Sequence, residues 1–371
     1  MHHLYRYAFK GILYVFLIGI MVMGCSDDDT PTGASGQWAW SALGDGVNVR
    51  VFSMVEYDGD LIVGGIFDTA GGVEVGNIAI WNDTIWSAFG SGMDDEVAAM
   101  TVYGNQLIAG GIFSTASGVA ANNIAAWDGS AWTPLGSGTN GRVRALLVYN
   151  NQLIVGGAFT LAGGQSANNI AAWDGSSWSA LGNGIDGPVF TLAEYDGKLY
   201  AGGEFSHAGG VIAYGVASWY NNTWMPLVAS FDDNVSVYAL HPQTDHLFVG
   251  GYFSEISTTD AYNVAIYHNS YWQNLGYSSE MRAVRCFYPF NGEVIFGGYN
   301  KYISDVEHTE YIAAWNGTAW RALGTGLEGD YYPHVWTCCE YNGRLIVGGR
   351  FETAGGDSAA NIAAWSFHPD E

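Results

Sequence analysis

Arginine and aromatic side chains cluster in short apolar segments that recur along the chain. Each segment contains a valine, and the residues directly before and after that valine differ from one segment to the next. The candidate ligand-binding residues at these flanking positions are Arg50, Phe52, Arg142, Arg144, Phe190, Tyr238, Arg285, His334 and Trp336. A planar guanidinium group binds carboxylates and phosphates through paired hydrogen bonds and also stacks on aromatic rings. The set therefore has the chemistry to bind an anionic or planar ligand.

The clustering of arginines contrasts with the acidity of the chain. Its 371 residues include 12 basic and 36 acidic side chains, which give a formal net charge of −24. A chain of this charge repels phosphate backbones, so we expect no nucleic-acid partner. The alternative role for the arginines is structural: each pairs with a loop carboxylate and joins two repeats. The carboxylates near enough in sequence for that role include Asp94, Asp95, Glu280 and Glu328.

Seven Gly-Gly doublets divide the chain into repeats. Each doublet follows an apolar run, and successive doublets are 46, 46, 46, 48, 47 and 51 residues apart. The doublets are Gly64-Gly65, Gly110-Gly111, Gly156-Gly157, Gly202-Gly203, Gly250-Gly251, Gly297-Gly298 and Gly348-Gly349. A fixed period in this range is typical of propellers and solenoids.

The third repeat resolves into four short strands. They are predicted at 143–146, 153–159, 169–173 and 178–181, with turns at Asn150-Asn151 and at Asp174-Gly175. We expect the Asp-Gly turn to be a two-residue hairpin of the primed type. Four antiparallel strands joined in this way make one propeller blade, and seven blades lie within the usual range.

The first predicted strand of each repeat has a constant face and a variable face. A valine and a small residue two positions later recur in all seven copies, for example Val143 and Ala145. Positions that every copy shares serve packing between blades, whereas positions that differ are free to serve a ligand. If this strand is the innermost one, the variable residues lie at one mouth of the central channel.

The two ends of the chain complement each other. The last repeat stops after a third strand at 361–365, whereas residues 40–44 form a fourth strand that belongs to no repeat of its own. We therefore predict an all-β, seven-bladed β-propeller of four-stranded blades over residues 37–371. The N-terminal strand is expected to complete the last blade and close the ring, which leaves no sheet edge open.

The repeat resembles known propeller families. The Gly doublet with two tryptophans five residues apart, such as Trp173 and Trp178, resembles the kelch repeat. The fuller pattern of F-x-x-A-G-G, N-I-A-x-W and W-x-x-L-G is similar to repeats of fungal cortical polarity-marker proteins and of bacterial surface lipoproteins. The resemblance covers residues 38–367 and implies the fold. It does not imply one activity, since kelch-like propellers include scaffolds, receptors and a few enzymes.

The N-terminus has the features of an export signal. Arg6 and Lys10 precede an apolar run over 11–23, and Gly24 stands before Cys25. This run is shorter than a membrane span and is typical of a cleaved signal peptide. Residues 22–25 resemble the lipobox of bacterial lipoproteins, which implies lipidation of Cys25, removal of 1–24 and a polar tether over 25–36. We therefore expect a lipid-anchored protein at the outer membrane or cell surface; cleavage at an ordinary secretory site is the alternative.

Cys286, Cys338 and Cys339 are the cysteines that follow Cys25. The repeat register brings Cys286 close to Cys338 between blades six and seven. In an exported protein the pair either forms a disulfide or stays as two buried thiols, and the sequence leaves both open.

Motifs for catalysis and metal binding are missing from the sequence. There is no H-E-x-x-H, no G-x-S-x-G, no phosphate-binding glycine loop and no D-x-D-x-D-G spacing. We expect no catalytic residue, no metal and no cofactor. The sequence predicts a monomeric surface module that binds or scaffolds a protein or an anionic ligand through one loop face. The alternative is a surface protein that binds or processes carbohydrate.

Overall fold

The computed structural model describes residues 36–227, 235–256, 259–275, 281–300, 306–330 and 332–369. The predicted signal peptide, Cys25 and tether residues 25–35 lie outside these ranges. Within them the regular elements are all β-strands, and the longest sheets are seven four-stranded antiparallel sheets. The expected all-β architecture of four-stranded antiparallel blades is therefore confirmed. In the same ranges, no helix is long and apolar enough to cross a membrane.

The sheets are numbered one to seven in chain order, and the strands of each sheet are given as first, second, third and fourth in spatial order. Sheet one comprises Arg50–Tyr57, Asp60–Ile66, Ile78–Trp81 and Trp86–Ala88. Sheet two comprises Val97–Tyr103, Gln106–Gly111, Ile124–Trp127 and Trp132–Pro134. Sheet three comprises Arg142–Tyr149, Gln152–Ala158, Ile170–Trp173 and Trp178–Ala180. Sheet four comprises Val189–Tyr195, Lys198–Gly203, Val216–Tyr220 and Thr223–Pro226.

The remaining sheets follow the same plan. Sheet five comprises Ser236–Pro242, Leu247–Tyr252, Val264–His268 and Tyr271–Asn274. Sheet six comprises Met281–Phe290, Glu293–Asn300, Ile312–Trp315 and Trp320–Arg321. Sheet seven comprises His334–Tyr341, Arg344–Arg350, Ile362–Pro369 and, as its fourth strand, the N-terminal Gly36–Ala42.

Short ribbons occupy the loops between second and third strands, four of which have the F-x-x-A-G-G pattern. Their strand pairs are Thr69–Ala70 with Val73–Glu74, Thr115–Ala116 with Val119–Ala120, Leu161–Ala162 with Gln165–Ser166, His207–Ala208 with Val211–Ile212, Glu255–Ile256 with Thr259–Asp260, and Thr353–Ala354 with Asp357–Ser358. In sheet seven a further strand, Leu327–Glu328, pairs with Thr353–Ala354 and widens the ribbon to three strands.

The hairpin turns follow from residues that tolerate left-handed backbone. Asn150 and Asn151 have φ values of 49° and 61° and form the two-residue loop between the paired Tyr149 and Gln152. This is the turn whose twist matches that of the strands. The prediction of a two-residue turn at Asp174-Gly175 is wrong. Trp173 pairs with Trp178, so that loop has four residues, and the Asp174 carboxylate accepts backbone hydrogen bonds from Ser176 and Ser177.

The Gly doublets allow each sheet to approach the next one. A Cβ on Gly64 would lie 2.6 Å from the Cγ1 atom of Val97, the constant valine of sheet two. A Cβ on Gly65 would lie 2.1 Å from the Arg50 carbonyl oxygen of its own sheet. The first contact recurs from sheet to sheet, and a Cβ on Gly348 of sheet seven would lie 2.6 Å from Val51 Cγ1 of sheet one. The doublet is therefore required by close packing on both sides.

Hydrogen bonds also join neighbouring sheets. The tyrosine at the end of several first strands donates its hydroxyl to a carbonyl oxygen in the next sheet, as in Tyr57 to Asn105 at 3.2 Å. Tyr341 of sheet seven makes the corresponding bond to Gly59 of sheet one, also at 3.2 Å. The core lies between the sheets, where each side chain is covered from both.

The N-terminal strand pairs along its whole length. Gly36 lies opposite Pro369 and Ala42 opposite Ala363, in antiparallel register. The Trp40 indole donates to the Leu323 carbonyl oxygen of sheet six at 2.8 Å. The first described strand of the chain therefore forms one sheet with the last strand, as the incomplete last repeat predicted.

Candidate functional site

A β-bulge occurs at the same place in all seven first strands. In sheet three, Val143 pairs with Gly157 and Ala145 with Gly156, so Arg144 has no partner in the second strand. The residue at this position is half-buried in every sheet, and these seven residues form what we call the bulge ring: Phe52, Ala98, Arg144, Phe190, Tyr238, Arg285 and Trp336. Bulges re-aim side chains and are common beside binding sites. Six of the seven were predicted as site residues, Arg144 and Arg285 among them, and the seventh, Ala98, is too small to extend from the strand.

Four members of the bulge ring form one continuous stack. The Arg144 guanidinium lies 5.0 Å from the ring centroid of Phe190, which stacks on Tyr238 at 5.4 Å with an interplanar angle of 22°. The Arg285 guanidinium lies 3.8 Å from the centroid of Tyr238. This arginine stack, as we call it, therefore spans sheets three to six with a cation at each end. Each cation–π contact contributes roughly 0.5–2 kcal/mol, with the larger values where water is excluded.

A second group of rings spans sheets six, seven and one. Tyr299 stacks on His334 at 4.4 Å, and His334 stacks on Trp336 at 5.0 Å with nearly parallel planes. Phe52 meets Trp336 edge to face at 5.0 Å. The Arg50 guanidinium lies 5.9 Å from the centroid of Phe52 and 6.0 Å from that of Trp336. The structure thus brings the predicted site residues of these sheets together.

Arg142 has the structural role that the sequence left open. Its guanidinium forms an ion pair with Glu96 of sheet two, and Glu96 is buried. Burial raises the pKa of Glu96, and the nearby Arg142 opposes that rise. Among the described residues, Asp94 pairs with no arginine, and its carboxylate instead accepts hydrogen bonds from the backbone of Ser114 and Thr115. Arg142 is therefore best described as a link between sheets two and three.

The other arginines are not neutralised in this way. Among the described residues, Arg50, Arg144 and Arg285 form no ion pair, whereas their Nε atoms, like that of Arg142, are buried without a hydrogen-bond partner. Burial lowers the pKa of Arg144, and the charges of Arg142 and Arg285 lower it further, whereas the charge of Glu96 opposes this shift. Burial also lowers the pKa of Arg285. The side chain of Arg282, another arginine of these strands, lies outside the described residues.

His334 lies in the positive electrostatic potential of several arginines. Burial is the largest influence on the pKa of His334 and lowers it. A hydrogen bond to the Tyr332 carbonyl oxygen raises this pKa, whereas the charges of Arg285, Arg350 and Arg50 lower it. The imidazole is therefore neutral at pH 7. Together these residues offer positive charge from arginine and flat surface from aromatic rings, within a chain that is strongly acidic overall.

Two residues of this region were missed in the sequence. Arg350 lies opposite His334 in the strand register, and the ring of Tyr299 stacks on the ring of His334. Arg350 and Tyr299 each directly follow a Gly doublet at the end of a second strand. The residue after the doublet varies across the repeats as freely as the predicted site positions do: Ile66, Ile112, Ala158, Glu204, Tyr252, Tyr299 and Arg350. The same comparison of repeats would have found it.

No group of three or more His, Cys, Asp or Glu side chains suited to a metal ion occurs in the part of the chain that the structure describes. The Sγ atoms of Cys286 and Cys338 lie 3.7 Å apart between sheets six and seven, so these residues meet as thiols in van der Waals contact. Their contact and burial raise the pKa of Cys338.

Sequence and structure comparisons support the fold. The family model of the Rax2 C-terminal beta propeller domain matches residues 32–182, which is less than half of the chain. Among curated proteins, none matches this chain in sequence.

Solved structures share the architecture at low sequence identity. The extracellular domain of BT4673 from B. thetaiotaomicron is 11% identical over 88% of this chain, with a TM-score of 0.57; the match covers 39% of the BT4673 chain. The WD40 beta propeller domain of Doa1 is 13% identical over 92% of this chain and 98% of its own, with a TM-score of 0.52. With the four-stranded antiparallel sheets described above, these likenesses identify the chain as a β-propeller repeat protein.

Proposed function

We propose that this β-propeller is a binding module that holds a planar, anionic ligand at the mouth formed by the bulge ring. The arginine stack is the observation that carries the proposal. Two half-buried guanidinium groups flank two stacked rings, and neither has a carboxylate partner among the described residues. A desolvated cation without a partner lowers stability, and a bound anion would offset that cost.

A structural role alone accounts less well for this arrangement. Arg142 is the internal comparison, because its charge is paired with that of Glu96 and the pair links two sheets. Among the described residues, Arg144 and Arg285 form no ion pair, and the guanidinium of each lies against an aromatic ring. The flat surface between them suits a conjugated or aromatic anion, since guanidinium groups both stack and donate to an anionic group.

We also propose that the seven sheets form a closed, seven-bladed ring, which would hold the mouth rigid. Support comes from three contacts between the last sheets and the start of the chain. Gly348 approaches Val51, Tyr341 donates to Gly59, and Trp40 donates to Leu323. The kelch-like pattern of the repeats is consistent with this arrangement.

The proposed site of action is the cell surface. The lipobox-like segment that ends at Cys25 and the polar residues after it support a lipid anchor with a tether. The similar propeller of BT4673 belongs to an extracellular domain, which agrees with display outside the cell. Labelling of intact cells with radioactive palmitate, with Cys25→Ser as control, tests the anchor.

Calorimetric titration with naphthalene-2-sulfonate tests the mouth. The wild-type chain should bind this planar anion more tightly than the matched cation 2-naphthylmethylammonium. Replacing Arg144 and Arg285 together by Gln should weaken binding by at least about tenfold. The control pair, Arg321→Gln with Arg344→Gln, removes two arginines that are paired with Glu293 and Asp83 and should leave binding unchanged.

Equal affinities in the two double variants, with the fold intact by circular dichroism, would refute the proposed site. A glycan array on the same variants separates the alternative. Glycan binding that persists without Arg144 and Arg285 would indicate a carbohydrate module in place of an anion-binding one.

A further inference from the structure

A cavity of about 450 Å³ lies where sheet seven meets the connection into sheet one. We call it the junction groove and define it by the six lining residues that bear on its chemistry: Val49, Arg50, Asp330, Pro333, Arg350 and Glu352. It adjoins the mouth, because Arg50 lies near Phe52 and Trp336 while Arg350 pairs with His334. Its volume is within the range of small-molecule sites.

The groove exists because one connection is longer than its equivalents. In the first four repeats a bridge residue, such as Val47 paired with Ala70, stands four positions before the constant valine. Leu327 has the equivalent pairing with Ala354, but Val335 follows it by eight positions. The longer connection contributes Asp330 and Pro333 to the lining of the groove, together with Arg50. Tyr331 of this connection lies outside the described residues.

Two comparable grooves in the described part of the chain lack this charge pattern. The groove between sheets two and three, about 400 Å³, is lined by no charged side chain and includes Asn122, Ser137 and Asn140. The groove between sheets one and two, about 410 Å³, has Asp68 and Glu74 but no arginine in its lining. The junction groove has two arginines and two carboxylates. Because the repeat itself does not require these residues, they are free to serve a ligand.

The charged groups of the junction groove do not neutralise one another. In the described part of the chain, none of Arg50, Arg350, Asp330 and Glu352 forms an ion pair. The Glu352 carboxylate accepts only a long bond, 3.5 Å, from the Asp330 backbone. By contrast, the neutral polar groups are used by the fold: Asn361 donates to the Val47 carbonyl oxygen at 2.7 Å, and Asn48 accepts from the backbone of Thr69.

We propose that the junction groove binds a small zwitterion of the amino-acid or short-peptide class. Its carboxylate would lie against the guanidinium groups of Arg50 and Arg350, and its ammonium group against the carboxylates of Asp330 and Glu352. An anion alone would face two carboxylates, and a cation alone would face two arginines, so only a ligand with both charges complements the whole groove. Val49, which is 38% exposed, and Pro333 provide apolar surface for a side chain. This site is separate from the arginine stack and does not depend on the ligand proposed for it.

Titration with the dipeptide alanyl-phenylalanine tests the proposal. The N-acetyl derivative lacks the cation and the methyl ester lacks the anion, so each should bind at least about tenfold more weakly than the dipeptide. Arg350→Gln and Glu352→Gln should each weaken dipeptide binding to a similar extent. Arg344→Gln is the matched control, since Arg344 begins the same strand but pairs with Asp83, and it should leave the affinity unchanged.

Thermal melting of each variant checks that the fold is intact. Equal affinity for the dipeptide and its N-acetyl derivative would overturn the proposal, as would dipeptide binding that survives both groove substitutions or no binding by any of the three compounds. The Arg144 and Arg285 double variant distinguishes the two sites. This variant should no longer bind naphthalene-2-sulfonate but should still bind the dipeptide. Failure of one proposed site is therefore distinguishable from failure of the other.

Discussion

The guanidinium of Arg285 lies 3.8 Å from the ring centroid of Tyr238, across the boundary between sheets six and five. This contact places a planar cation over an aromatic ring that itself stacks on Phe190. No carboxylate of the described residues pairs with Arg285, and burial lowers its pKa. The contact thus combines charge, planarity and desolvation at one end of the arginine stack.

Arg285→Lys separates charge from planarity. Lysine keeps the positive charge but presents a compact ammonium group that does not stack. We expect naphthalene-2-sulfonate to bind about three- to tenfold more weakly, and inorganic sulfate to change by less than about twofold. Calorimetry with both anions measures the difference. An equal loss for the two anions would show that stacking on Tyr238 does not contribute to ligand binding.

Gly348→Ala tests whether the sheets close into a ring. The new Cβ would lie 2.6 Å from Val51 Cγ1, as a Cβ on Gly64 would from Val97 Cγ1. Overpacking of this kind costs about 1–3 kcal/mol, so both substitutions should lower the free energy of unfolding in urea by similar amounts. If Gly64→Ala destabilises the chain while Gly348→Ala does not, sheet seven is not packed on sheet one in solution.

His241 makes stability depend on pH. Burial lowers the pKa of this histidine from 6.5 to about 4, and its Nε2 atom is buried without a partner near the rings of Phe248 and Phe287. Below pH 6.5, His241 therefore binds a proton in the unfolded chain but stays neutral in the folded chain. The free energy of unfolding consequently falls as the pH drops from 6.5 towards 4. With allowance for partial exposure, this group should account for about 1–2 kcal/mol of that fall.

Urea unfolding at pH 6.5 and pH 4.5 measures this contribution. His241→Leu should reduce the fall in stability between the two pH values, whereas His308→Gln, at an exposed position, should not. The same fall in the His241 variant and the wild type would contradict the assignment.

Cys286 and Cys338 are placed to form a disulfide under mild oxidation. Their Sγ atoms are 3.7 Å apart, and a small movement of either side chain would bring them to bonding distance. Treatment with the thiol oxidant diamide should reduce the mass of the folded chain by two hydrogen atoms, as the two thiols give one disulfide and diamide is reduced. The Cys339→Ser variant should show the same mass loss as the wild type, whereas the Cys286→Ser variant should show none. Failure of the wild type to lose them would show that the sheets hold the thiols apart.

The sequence alone determined the repeat, the strands and the fold class. The Gly doublet, the constant valine and the paired tryptophans recur seven or nearly seven times because each blade meets the same local demands of turning and packing. The alternation of side chains along a strand also pointed to the variable residues at the mouth. These properties depend on residues close together in the chain, so pattern suffices to find them.

The tertiary structure decided which of those residues act together. Arg142 and Arg144 are two positions apart, yet Arg142 pairs with Glu96 and Arg144 lies over the ring of Phe190, because the residues that they contact belong to different repeats. Arg350 reaches the same region from a second strand, beside His334. The junction groove likewise depends on contacts between the two ends of the chain. Such contacts form only when sheets distant in sequence pack side by side, so the order of residues does not specify them locally.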